Sequence, residues 1–324
     1  MNARKIFFGV ALLVGLAVLL FHTNPAESYL AQYAQRNAPD RWPAQASLTW
    51  NLNPSTSGNI AGGAAPADIM RTSSNRWAAA PNTSINISQG SNSSKTAKGN
   101  DGTNLICFVC DADFSEEPST LALTFDTILQ SGPGSGQFVG QILDSDILFN
   151  PAVTFLTNGA ACPDGKTCAD LQTIATHEIG HYFGLDHSGV VRAVMNPFAP
   201  DVQRELGADD VAGISQLYPG SQSVPTGTIS GTVRYAATGS GVCGAHVFAD
   251  PAAPNSGYPA PIRNTPIGAM TSSDGSYAIA GVPPGSYTIT AEPLDLPVSN
   301  EDISDYGATF CGGSVPTNFT TRQH

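Results

Sequence analysis

Hydrophobic and polar positions follow two different rhythms along this chain, and the rhythm changes near residue 220. In the first part, Leu48, Trp50 and Leu52 alternate with polar neighbours in SLTWNL (47–52), the period-2 pattern of a half-buried strand. PADIMRTSSNRWAAA (66–80) instead brings Ile69, Trp77 and Ala80 onto one helical face. LICFVC (105–110) and LALTFDTIL (121–129) read as strands, SGPGSG (131–136) as a turn, and QFVGQILDSDILFN (137–150) as further strand. The polar run NTSINISQGSNSSKTAKGNDGTN (82–104) is loop by composition. After a linker, YPGSQSVPTG (218–227), only short alternating runs remain: Ile229, Gly231, Val233, Tyr235, then Tyr277 and Ile279, then Tyr287, Ile289 and Ala291. The turns between them, SSDG and GVPPG, complete the pattern of a small β-sandwich. The expected fold is therefore α+β: a mixed domain over 41–219, a linker at 220–227 and an all-β domain over 228–324.

One helix carries chemistry. Asp170 can cap a helix whose apolar positions Leu171, Ala175, Ile179, Tyr182 and Phe183 fall in a sector of roughly 120°. His177 and His181 then lie one turn apart on nearly the opposite side, where two imidazoles can grip one cation. Glu178 points to a neighbouring direction, within reach of a water on that cation. Gly184 can take a positive φ and end the helix, which lets His187 return to the same ion. Three neutral imidazoles leave the fourth position of a tetrahedral zinc open, as catalytic sites require. H-E-x-x-H alone is a short pattern, but HEIGHYFGLDH (177–187) adds a glycine and a third histidine in register. A helix with merely exposed histidines would not account for those two.

Charge narrows the partners. Charged residues make up 12% of the 324, the net charge is −12, and the 14 Lys and Arg form no cluster. A nucleic-acid partner would want a basic stripe, so none is expected. At the N-terminus, Arg4 and Lys5 precede an apolar run from Ile6 to Phe21, which is short for about 30 Å of hydrocarbon. It fits a secretory signal over 1–26, with Ala26 a candidate last residue; the competing expectation is a retained membrane anchor. Export would place the protein outside the cell, in a periplasm, or at a surface. An even set of six cysteines behind such a signal reads as disulfides. Cys162 and Cys168 flank the turn PDGKT, and Cys243 can pair with Cys311. Cys107 and Cys110 form a C-x-x-C that reads as a further pair or as half of a zinc site.

The histidine motif followed by Met195 in AVMNP resembles the metzincin zinc metalloproteases, in which a methionine turn lies below the metal. Within them it is most similar to the matrixin group (peptidase M10). Ser188 follows the third histidine, Pro197 follows the methionine by two, and LGADDVAGISQLYP (206–219) looks like the matrixin terminal helix. Upstream, RWPAQASLTWNL resembles the first matrixin strand and QILDSDILFN the edge-strand region. The resemblance implies a zinc endopeptidase acting on proteins or peptides, with His177, His181 and His187 as ligands, Glu178 as general base and Met195 as the floor. Val194 and Phe198 would border the pocket for the residue after the cleaved bond. It also implies calcium, to which Asp111, Asp113, Asp144 and Asp146 could give oxygen ligands, against the plainer reading of solvated aspartates. The sequence departs from animal matrixins in two ways. It has no further histidines in this domain for a second zinc, and no cysteine before the first strand to block the first.

GTISGTVRYAATGSGVCGAHVFA and TSSDGSYAIAGVPPGSYTITAEP resemble the carboxypeptidase regulatory-like, transthyretin-like sandwich, which implies a spacer or a module that binds a surface or a protein partner. His246 then reads as a structural or exposed lone histidine. The alternative to an enzyme is a silent surface adhesin that keeps the protease fold; the intact His177, Glu178, His181 and His187 argue against it.

Overall fold

The computed structural model describes residues 31–35, 38–44, 46–110, 114, 119–198, 202–254, 258, 262–294, 298–299, 302–303, 306–313 and 315–324. The expected leader over 1–26 and the calcium candidates Asp111 and Asp113 lie outside them. Among the described residues no helix is long and apolar enough to cross a membrane.

In the first part the elements are β1 (Tyr33–Gln35), β2 (Ala38–Pro39), β3 (Ser47–Leu52), β4 (Ile60–Ala61), α1 (Pro66–Ala78), β5 (Asn86–Gln89), β6 (Leu105–Cys107), β7 (Ala122–Leu129), β8 (Gln141–Phe149), β9 (Thr154–Leu156), β10 (Cys168–Asp170), α2 (Leu171–Tyr182) and α3 (Ala208–Leu217). Five strands form the main sheet in the order β5-β3-β6-β8-β7. Its neighbours pair in parallel except β7, which runs antiparallel to β8 at the edge. Leu48, Trp50 and Leu52 of β3 point into the core while Ser47 and Thr49 face out, as the alternation requires. Pro66 opens α1, where a missing N–H costs nothing, and Ile69, Met70, Ser73 and Trp77 form its buried stripe. That stripe meets α2: Trp77 Nε1 donates to Thr176 O at 2.8 Å, and Thr176 Oγ1 lies 3.0 Å from Ser73 Oγ.

Two expectations change. The polar run 82–104 is not all loop, because Asn86–Gln89 is a strand whose Leu48↔Ile87 register puts Ile87 in the core. One buried side chain and a ladder of backbone bonds suffice for it, so composition hides it. QILDSDILFN is not an edge; it is an inner strand, and the edge is β7. Asp144 and Asp146 are buried there, not solvated. Asp144 Oδ2 accepts from Asp101 N and Gly102 N at 3.2 and 2.7 Å, and Asp146 accepts from Gly99 N and Leu105 N, both at 2.8 Å. Burial pushes the Asp146 carboxyl up to about 6, against the pull of those bonds.

The second part comprises β11 (Gly227–Thr232), β12 (His246–Pro251), β13 (Ile267–Met270), β14 (Ser276–Val282), β15 (Tyr287–Glu292) and β16 (Arg322–Gln323). They form two antiparallel sheets, β11-β14 and β13-β12-β15-β16, the expected sandwich. It is not a loosely tethered spacer. Val211, Ala212 and Ile214 of α3 share one core with Val247, Ala249, Ile267 and Ile279. Asn82 pins the linker, its Oδ1 accepting from Ser223 N and Val224 N at 2.7 and 2.9 Å. The six cysteines form Cys107–Cys110, Cys162–Cys168 and Cys243–Cys311, so the C-x-x-C is a disulfide and not half of a zinc site.

Candidate metal centre

Asp170 caps α2 by accepting from Thr173 N at 2.9 Å. The helix ends in a Schellman motif: Gly184 N donates to His181 O at 2.6 Å and Leu185 N to Gly180 O at 3.1 Å. Gly184 has φ 89°, and a Cβ there would lie 1.9 Å from Asp40 O, so both conformation and space demand glycine. The last carbonyls find side chains: Trp42 Nε1 donates to Tyr182 O at 2.7 Å and Tyr218 Oη to Phe183 O at 2.7 Å. The chain then turns back and brings His187 beside the helix, its ring centroid 4.8 Å from that of His181 and 5.2 Å from that of His177.

The three rings converge. One ligand atom from each of His177, His181 and His187 lies within 4.8 Å of the other two. His177 Nδ1 is 2.8 Å from Val194 O, His181 Nδ1 is 2.8 Å from Leu185 O, and His187 Nδ1 is 2.5 Å from Asp302 O. Carbonyls only accept, so each Nδ1 carries the proton and each Nε2 presents a bare lone pair. Yet the Nε2 atoms of His177 and His181 are 3.1 Å apart. Two lone pairs at that distance repel unless a cation lies between them, and two nitrogens on a tetrahedral zinc sit about 3.3 Å apart. The residues therefore fit zinc. Burial holds all three imidazoles below their ordinary value, His177 down to about 4, so they are neutral at pH 7 as ligands must be.

Glu178 is 5% exposed, and its Oε2 accepts from Thr124 Oγ1 of β7 at 2.7 Å. Burial raises its carboxyl to about 7, with the Thr124 bond opposing. Both residues and the histidines line a cleft of ≈ 730 Å³, whose lining includes the expected Val194 and Phe198, with Asn196, Gln32 and Asp302 also bordering it. Met195 is buried against α2, where a Cβ on Gly180 would meet its Sδ at 2.2 Å. Its loop is closed by Ser188 N donating to Met195 O and by the Asp210 carboxylate, which accepts from Val194 N, Met195 N and Gly207 N at 2.7, 3.1 and 2.6 Å.

Residues 114–219 match the matrixin family model. Over that stretch, about a third of its length, the chain resembles a matrixin. Residues 228–297 match the carboxypeptidase regulatory-like domain. Over 57 residues the chain is 47% identical to metalloendoproteinase 5-MMP of Arabidopsis thaliana, a stretch of 17% of this chain and 16% of that protein. It is 45% identical to karilysin of Tannerella forsythia over 49 residues (15% and 10%), and 45% identical to human matrix metalloproteinase-15 over 62 residues (18% and 9%). The chain thus spans less than a fifth of the length of these curated relatives.

Four partners escaped sequence reasoning. Thr124 sits in LALTFDTIL, which reads as a strand but not as part of a site, and Asp302 in a tail without pattern. Asp209 and Asp210 were visible as a pair ahead of the apolar pattern of the matrixin-like terminal helix, but not as residues with separate partners: Asp210 holds the loop around Met195, and Asp209 holds Ser188 and Gly268. Of the two readings of His246 the structural one holds and the exposed one does not: it is 4% exposed, lies against Gly189 and Gly268, and its Nδ1 is 3.2 Å from Glu292 Oε1.

Proposed function

We propose that this protein is an exported zinc endopeptidase. The observation that carries the reading is the convergence of three neutral imidazoles beside a buried carboxylate, at the floor of an open cleft. His177, His181 and His187 would hold the ion, and zinc when bound supplies Lewis acidity toward the scissile carbonyl and toward a water molecule. Glu178 takes the proton from the attacking water and delivers it to the leaving amine. The Thr124 hydroxyl keeps that carboxylate aimed while the proton moves. The cleft wall at Val194, Asn196 and Phe198 receives the side chain after the cleaved bond, and Phe198, 45% exposed, gives it an apolar edge. The apolar run from Ile6 to Phe21 behind Arg4 and Lys5 supports export. Calcium, implied by the matrixin resemblance, would have to share Asp144 and Asp146 with the loop N–H groups they already accept.

A peptide-library cleavage assay tests this. Purified protein should cut peptides, zinc chelation should stop it and added zinc restore it, and Glu178→Ala should lower the rate at least about 100-fold while keeping the metal. One zinc per chain without cleavage in any library would sink the protease reading in favour of a binding protein.

A further inference from the structure

The carbonyls that receive the three Nδ1–H groups have different origins. Val194 and Leu185, which serve His177 and His181, belong to the matrixin region itself. Asp302, which serves His187, lies 115 residues further on, beyond both family matches. Among the described residues, the hydrogen bonds of Asp302 other than that to His187 are made with Ser299, outside the matrixin match. Its carbonyl is placed by the C-terminal part of the chain. Asp302 Oδ2 accepts from Ser299 N and Ser299 Oγ at 2.7 and 2.8 Å, and Asp302 N donates to Ser299 O at 3.2 Å. The next residue, Ile303, is 1% exposed in a small core with Met270, Leu294, Val298 and Tyr306. Tyr306 Oη donates to Thr271 O at 3.2 Å, and Cys311 is bonded to Cys243. The sandwich therefore fixes residue 302 from both directions along the chain.

We propose that the sandwich region is a working part of the metal centre, with Asp302 the positioning residue for His187. Its carbonyl fixes which ring nitrogen carries the proton and how the third ring is turned, the task that partners behind the ligands perform at metal sites. The inference rests on the metal reading given under the proposed function. It predicts a local effect: loosening residue 302 frees His187, whereas His177 and His181 keep their own carbonyls.

The test uses the full chain as wild type, Asp302→Ala, Asp302→Asn and Ile303→Ala. Zinc affinity is read by competition with a chromophoric chelator, and the Nδ1–H resonances of the histidines are followed in the zinc-loaded protein. Asp302→Ala and Ile303→Ala should weaken zinc binding about 10- to 100-fold and should move or broaden the His187 resonance alone. Asp302→Asn keeps an acceptor for Ser299 and should stay within about threefold. In wild type, His187 must show a protonated Nδ1; a bare Nδ1 overturns the inference without recourse to any variant. Unchanged zinc affinity in both weakened variants overturns it equally. Wild type that binds no zinc removes the metal reading and this inference together, whereas tight zinc in all four proteins removes the inference alone.

Discussion

Thr124 Oγ1 and Glu178 Oε2 lie 2.7 Å apart, so the edge strand of the sheet touches the histidine-bearing helix at the carboxylate that would move the proton. Removing the hydroxyl leaves the carboxylate in place but free to turn. Thr124→Val should lower kcat roughly 10- to 100-fold with little change in KM, and Thr124→Ser should recover most of it. Steady-state kinetics on one good peptide decides this; a rise in KM alone would make Thr124 a substrate contact instead.

Gly180 occupies the helix between two ligand turns, where alanine would ordinarily gain about 1 kcal/mol of helix propensity. Its missing Cβ is the space filled by Met195 Sδ, 2.2 Å from where that atom would sit, and by Trp77 Cζ2 at 2.9 Å. Overpacking should win, and Gly180→Ala should cost about 1–3 kcal/mol in urea unfolding. A more stable variant would mean that the loop around Met195 yields freely.

Asp170 carries a pH dependence. Burial raises its carboxyl, but hydrogen bonds from Arg204 and Thr173 outweigh that and hold it below its ordinary value. A depressed folded-state pKa gives stability that is present above the unfolded value of 3.8 and is lost as pH falls through the folded one. Asp170→Ala should therefore be less stable than wild type at pH 7, by about 0.5–2 kcal/mol for the lost cap. The gap should close as pH falls below about 4. Paired denaturation curves at pH 7 and pH 3 measure it, and a gap independent of pH would contradict the assignment.

Asp209 ties the two regions together: Oδ1 accepts from Gly268 N at 2.8 Å and Oδ2 from Ser188 Oγ at 2.6 Å. With a shared core behind it, wild type should unfold in a single calorimetric transition. Asp209→Ala strands a buried N–H and should cost about 2–3 kcal/mol. Two separate transitions in wild type would show that the regions fold independently.

What could be read from the sequence was whatever repeats with a period or sits at a fixed spacing. SLTWNL, the capped helix with its two histidines, the glycine turn and the sandwich strands each declare themselves within about ten residues. The rest depends on tertiary partners. Asp144 and Asp146 look like surface carboxylates until the 99–105 loop lays its N–H groups on them. β5 has one core side chain, Ile87, in a run of polar residues, so no pattern marks it. The contact of Asp302 with His187 is made by a backbone carbonyl, which every residue possesses, so no residue type could have announced it.

The contact between His187 and Asp302 also has a consequence in time. A nascent chain that has reached residue 219 already holds Glu178, all three histidines, Met195 and α3. It still lacks the carbonyl that orients His187, and Asp209 still lacks the Gly268 N–H. Until those contacts form, the third ring of the candidate metal centre has no fixed orientation. Zinc would be gripped in full only after about eighty further residues have been added and the sandwich has closed on them.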